Sequence, residues 1–236
     1  MLKTVNLSKK YNDNYALKNL NLKVAPGELF CLLGANGAGK TTTIKLLLSF
    51  ISPTSGKAFI NEVDVNKSGN ETKQFLAYIP ENLMLYPTLS AIENLDYFCG
   101  IAGKKLSVDQ LKEHLGQAGL QQDAFNKRIS TFSKGMRQKV GVAIALAKNA
   151  KVLLLDEPTS GLDPKASNEF GLLLKKLCDK GVATLMATHD IFRAKDVATQ
   201  IGIMKDGILE KQFKANEVSL SELEDLYLKT MYTKNH

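Results

Sequence analysis

The sequence predicts an α/β fold, with a mostly parallel sheet covered by helices. Three observations carry this. Phe30-Cys31-Leu32-Leu33, Val152 to Leu155 and Val182 to Ala187 are short continuous apolar runs, the pattern of strands buried on both faces. Between Lys165 and Lys180, Ala166, Phe170, Leu173 and Leu177 fall at helical spacing and form one stripe that faces a sheet. A glycine-rich stretch joins the first of these strands to a helical pattern over Thr41 to Phe50.

The remaining elements follow in order. Val5 and Leu7, then Leu20, Leu22 and Val24 before Pro26-Gly27, alternate as in a small antiparallel sheet. From Leu83 to about Asn149 strand signals are sparse. Ser107-Val108-Asp109-Gln110 forms a capping box, and Val108, Leu111, Leu115 and Ala118 continue an apolar helical face. Met136, Val140, Ile144 and Ala147 make another, so this stretch reads as a helical insertion. Leu220, Leu223, Leu226 and Met231 mark a final amphipathic helix for packing on the core or on a partner. The expected layout is one domain, 1–236. Residues 1–82 and 150–215 form its core with the β-subdomain, 83–149 the helical subdomain and 216–236 the C-terminal helix.

Composition sets limits. A chain of 236 residues, 44% hydrophobic and 23% charged, buries a full core and is not disordered. No apolar run reaches the roughly 18–20 residues that span a bilayer, and the start lacks a signal-peptide pattern. The chain is therefore expected in the cytoplasm, with any membrane role exercised through a partner. Cys31, Cys99 and Cys178 are widely spaced and read as buried free thiols. The net charge of +7 is spread along the chain, which fits a solvated basic surface, and no nucleic-acid partner is expected.

The chemistry concentrates in two motifs. Gly34-Ala35-Asn36-Gly37-Ala38-Gly39-Lys40-Thr41, followed by Thr42, fits the G-x-x-x-x-G-K-[ST] pattern between a strand and a helix. Its glycines let successive N–H groups point at phosphate oxygens, and the helix N-terminus adds its positive dipole end. Lys40 reaches the β- and γ-phosphates and the Thr41 hydroxyl ligates Mg²⁺. The run Val152 to Leu155 ends in Asp156-Glu157, with Asp156 suited to hold Mg²⁺ and Glu157 to polarise an attacking water. His189, after the run Val182 to Ala187, is expected at the same sheet edge, in reach of the γ-phosphate or that water.

With these motifs, the order of three further segments resembles the ATP-binding cassette (ABC) ATPases over residues 1–215. Thr131-Phe132-Ser133-Lys134-Gly135-Met136-Arg137-Gln138 stands in the place of the family's LSGGQ signature; Ser160-Gly161-Leu162-Asp163 is similar to its D-loop, and Thr188-His189-Asp190 to its switch histidine. The resemblance implies a P-loop NTPase (RecA-like) core and ATP with Mg²⁺ as ligands. It also implies two cassettes stacked head-to-tail with ATP between them, Ser133 and Gly135 of one facing the γ-phosphate held by the other. Tyr11 stands where the family stacks an aromatic on adenine.

Two motifs depart from the family pattern. Glu81, after Tyr78-Ile79-Pro80, replaces the usual Q-loop glutamine; it is still expected to contact water or Mg²⁺ and to serve coupling. Lys134 and Met136 replace commoner residues in the signature. These departures, with Leu85-Tyr86-Pro87-Thr88-Leu89-Ser90-Ala91-Ile92-Glu93-Asn94-Leu95, resemble an exporter branch (drug, sodium, copper- or gliding-linked systems) whose ATPases pair with a separate permease. In the family, the Leu85–Leu95 region forms the groove for a permease coupling helix. The implied location is peripheral, on the inner face of the membrane. Homodimer and heterodimer stay open, as does a non-transport ABC ATPase acting by force transmission or in a soluble process.

Overall fold

The computed structural model describes residues 1–232. The last four residues of the expected C-terminal segment lie outside the described residues. In chain order the strands are β1 (Leu2–Tyr11), β2 (Asn14–Val24), β3 (Leu29–Leu33), β4 (Ser55–Ile60), β5 (Val63–Asp64), β6 (Leu76–Ile79), β7 (Val152–Asp156), β8 (Ala183–Thr188), β9 (Gln200–Lys205) and β10 (Ile208–Lys214). The helices are α1 (Lys40–Leu47), α2 (Gly69–Thr72), α3 (Ala91–Ile101), α4 (Val108–Gln117), α5 (Lys134–Ala147), α6 (Pro164–Asp179), α7 (Ile191–Val197) and α8 (Leu220–Tyr232).

One sheet has the order β10-β9-β3-β8-β7-β6. Every pairing from β9 to β6 is parallel, and only the edge strand β10 runs antiparallel. Successive side chains of a strand point to opposite faces, and here both faces are buried. Leu29, Cys31 and Leu33 of β3, with Leu153 and Leu155 of β7, pack under the helical layer of α3 to α8. Phe30 and Leu32, with Val152 and Leu154, pack under α1 and a second, four-stranded sheet. That sheet is β2-β1-β4-β5, all antiparallel. The α/β expectation, with an N-terminal antiparallel sheet and a helical layer, is borne out.

Local chemistry explains where helices after β6 begin. Ser90 with Glu93, and Ser107 with Gln110, form reciprocal capping boxes that start α3 and α4. Asp163 accepts from Ala166 N and Pro164 follows it, which starts α6. Val108, expected on the apolar face of α4, is 56% exposed, because it occupies the first turn before the helix meets its neighbours. Two hairpins escaped the sequence reading, β4–β5 and β9–β10. Their turns place Asn61 and Glu62, and Asp206 and Gly207, at positive φ, the two-residue geometry that Asp-Gly favours.

The C-terminal helix packs on its own chain. Leu223 is fully buried in the core under α7 and β9, and Lys205 Nζ donates to Thr230 O at 3.1 Å. Leu223→Ala is therefore expected to lower stability by about 2–5 kcal/mol, read as a lower urea midpoint with an unchanged slope. A midpoint that does not move would mean that α8 contributes nothing to the folded subunit.

Candidate functional site

The register of the parallel sheet brings the chemistry together. Leu33 pairs with Thr188 and Asp156 with Ala187, so β3, β7 and β8 end at one level. Open α/β sheets bind ligands at that edge. Gly34 N donates to Thr188 O at 3.2 Å, and Gly207 N donates to Ala38 O at 3.1 Å, so the loop after β3 is tied at both ends. Gly39 lies at φ 102°, and a Cβ there would stand 2.6 Å from Ala16 O. A Cβ on Gly34 would stand 2.5 Å from Met204 O. Only glycine fits either place.

Within this loop Ala35, Asn36 and Gly37 are exposed, while Gly34, Ala38, Gly39 and Lys40 are buried. The Lys40 ammonium folds back over it, donating to Gly34 O at 2.7 Å and Ala35 O at 3.1 Å. Helix α1 carries no acid of its own in its first turn, which suits its positive end to an anion. Thr41 and Thr42 lie in that turn.

The carboxylates face the loop. Thr41 Oγ1 donates to Asp156 Oδ1 at 3.2 Å. Burial pushes the Asp156 carboxyl above its ordinary value; the Thr41 hydrogen bond opposes this and the charge of Glu157 adds to it. Two hard oxygen donors side by side, on an acid that gains by a nearby cation, fit Mg²⁺, which keeps waters and takes phosphate oxygens for its other ligands. Among the described residues no group of three or more His, Cys, Asp or Glu is gathered for a metal.

Glu157 sits at φ 45°, a left-handed conformation that costs a non-glycine residue on the order of 1 kcal/mol or more. Its N–H bonds to Ala187 O at 2.9 Å, and the turn aims the side chain back over the sheet edge. Thr188 Oγ1 donates to Glu157 Oε2 at 3.1 Å. The other oxygen, Oε1, lies 3.0 Å from His189 Nδ1 and 3.6 Å from Lys40 Nζ, yet accepts no hydrogen bond of good geometry. A carboxylate fixed through one oxygen with the other left open is arranged to take a proton.

The other expected residues divide into those near this cluster and those apart from it. Glu81, just beyond β6, accepts from Ser160 Oγ at 2.9 Å, and its charge contributes to the rise at Asp156. Ser133 caps α5, accepting from Met136 N at 3.3 Å, and so keeps its hydroxyl proton free to donate. Gly135 is pressed against α6, where a Cβ would stand 3.1 Å from Ala166 Cβ. No hydrogen bond joins Ser133 or Gly135 to the loop of their own chain among the described residues. Tyr11 ends β1, half-exposed, with Lys9 Nζ 5.0 Å from its ring centre. The sequence reading missed Thr188 and Ser160 as partners of the two glutamates. Each stands in a segment that carries the family resemblance, but only the fold shows which carboxylate it meets.

The strain at Asp156 can be measured. An acid whose pKa rises on folding opposes the fold once charged, from its unfolded value of about 3.9 upward. Asp156→Asn removes that opposition and still offers Thr41 an acceptor oxygen. The nucleotide-free variant is expected to melt higher than the parent at pH 7, with the gain fading as pH falls through the raised value and gone below about 4. Calorimetry across a pH series checks this; a variant that melts lower at pH 7 would contradict it.

Residues 17–160 match the ABC transporter family. A lantibiotic transport ATP-binding protein of Streptococcus pyogenes is 34% identical over 231 residues, 94% of this chain and 95% of that protein. A probable multidrug ABC transporter ATP-binding protein of Escherichia coli (strain K12) is 33% identical over 208 residues, 86% of this chain, which spans only 35% of that protein's length. Among solved structures, a dimeric ATP-binding cassette in a post-hydrolysis state, bound to ADP and Pi, is similar with a TM-score of 0.80 at 30% identity, covering 91% of this chain and 99% of that one. With the phosphate loop, paired carboxylates and histidine at one sheet edge, this chain belongs to the ABC transporter family, as one of its ATP-binding, ATP-hydrolysing cassettes.

Proposed function

We propose that this chain powers an exporter, driving a separate membrane-embedded permease through ATP-dependent head-to-tail pairing of two cassettes. The observation that carries the catalytic half is Glu157, held by Thr188 and flanked at Oε1 by His189 and Lys40. In this reading the N–H groups of Gly34 to Thr42 cradle the phosphates, and Lys40 leaves its carbonyl partners for the β- and γ-oxygens. Glu157 takes the proton of the attacking water and His189 positions that water against the γ-phosphate. Thr41, Asp156 and Glu81 would hold Mg²⁺, which supplies neutralisation of phosphate charge.

A second copy, or a related cassette, completes the site. Ser133 with a free hydroxyl proton and Gly135 at the start of α5 are suited to the γ-phosphate held by the partner, and α5 has no acid in its first turn to repel it. The dimeric cassette similar to this chain supports that pairing. A transport role is supported by the relatives named for lantibiotic and multidrug transport. No helix among the described residues is long and apolar enough to cross a membrane, which is compatible with attachment to the inner face through the permease. The trough between β6, α3 and α5 is the proposed seat of the permease segment.

Glu157→Gln is expected to cut turnover by roughly 10²–10⁴-fold and to trap an ATP-bound dimer, seen as an ATP-dependent shift in gel filtration. Retained hydrolysis without that shift would remove Glu157 as the base. Tyr11→Ala is expected to weaken ATP binding by about 1–3 kcal/mol in calorimetric titration. Unchanged affinity would leave Tyr11 a surface residue of the hairpin.

A further inference from the structure

The trough proposed to receive the permease carries a charge pattern that constrains its occupant. It encloses about 880 Å³ between the edge strand β6, the end of α1, α3 and α5. Phe50, Met84 and Ile101 line it and stand 63%, 86% and 67% exposed. Apolar side chains left open together in this way mark an interaction surface. Lys73, Lys104, Lys148 and Lys151 line the same trough, and no aspartate or glutamate does.

What sets these four apart is that they gather in one trough whose lining holds no acid to offset them. Lys127, Lys139 and Lys175 pair with Asp123, Glu169 and Asp196. None of the four in the trough pairs with a carboxylate among the described residues. They rest on neutral acceptors: Lys104 Nζ on Ala147 O at 3.0 Å, Lys148 Nζ on Leu76 O at 3.0 Å, Lys73 Nζ on Asn70 Oδ1 at 3.3 Å and Lys151 Nζ on Asn149 Oδ1 at 3.5 Å. Burial first, and then the charge of Lys104, pushes Lys148 below the ordinary lysine value. Clustered cations with no anion repel one another, and an acidic occupant relieves that.

The edge of β6 also limits the occupant's shape. Phe75 O accepts from Lys151 N and Val152 N, so the next carbonyl, Leu76 O, points away from β7, and Lys148 already occupies it. An added strand finds that edge blunted, whereas a helix laid between α3 and α5 needs no backbone partner.

We infer that the permease helix expected in this groove flanks its apolar face with aspartate or glutamate side chains that pair with this lysine rim. This rests on the transporter-subunit reading and names the chemistry of its partner. Rim pairs of this kind select the partner and speed its encounter more than they add affinity.

Two synthetic helical peptides with the same leucine stripe, one flanked by glutamate and one by glutamine, test this by fluorescence anisotropy on the intact chain. The glutamate peptide is expected to bind about tenfold tighter at low salt, an advantage that shrinks as salt rises. Lys73→Glu/Lys104→Glu/Lys151→Glu is expected to erase the preference while ATP binding is kept, and Lys151→Glu alone to reduce it. Equal binding of the two peptides overturns the charge assignment and leaves the docking surface standing. Binding of neither, in a chain that still dimerises with ATP, overturns the docking surface itself. Equal peptide binding together with charge-dependent binding to phosphatidylglycerol vesicles assigns the lysines to a lipid surface instead.

Discussion

The double burial of the six-stranded sheet constrains everything else in this molecule. Each central strand spends alternate side chains on opposite cores, Cys31 and Leu33 on one side, Phe30 and Leu32 on the other. No face is left for chemistry, so polar groups collect where strands end. Parallel pairing makes those ends coincide, and the register of β3, β8 and β7 sets the spacing between Gly34, Asp156, Glu157 and His189. A one-residue slip would reverse every buried side chain, and therefore the core enforces the geometry of the site.

The site holds energy that its ligands are suited to release. Asp156 is ionised at a cost set by burial, Glu157 is kept in a left-handed turn with one oxygen open, and the Lys40 ammonium rests on carbonyls of its own loop. In the proposed function, phosphate oxygens would draw the Lys40 ammonium and a divalent cation would offset the charge of Asp156. Backbone strain and unbalanced charge cluster at functional sites for this reason. Ser133 and Gly135 stand apart at the start of α5, with no hydrogen bond to the phosphate loop of their own chain among the described residues.

Much of this was legible in the residues. Buried parallel strands are short apolar runs, and β3, β7 and β8 lie within a residue of their expected ends. Capping residues reach only three positions along the chain, so the box at Ser107 was readable. The hairpins β4–β5 and β9–β10 were missed because their strands are short or carry polar residues on the open face, although Asp206-Gly207 was a usable turn signal. Val108 was placed on a buried face because periodicity alone does not say where a helix first meets its neighbours.

The sequence by itself determined the phosphate loop, the acidic strand end and the order of motifs, since these depend on local spacing and on residue chemistry that no packing changes. Tertiary structure alone decided that Thr188 holds Glu157, that Ser160 holds Glu81, and that four lysines scattered from 73 to 151 share one trough with no acid. Such pairings join residues up to 79 positions apart, and only the burial of the two cores selects which distant side chains meet.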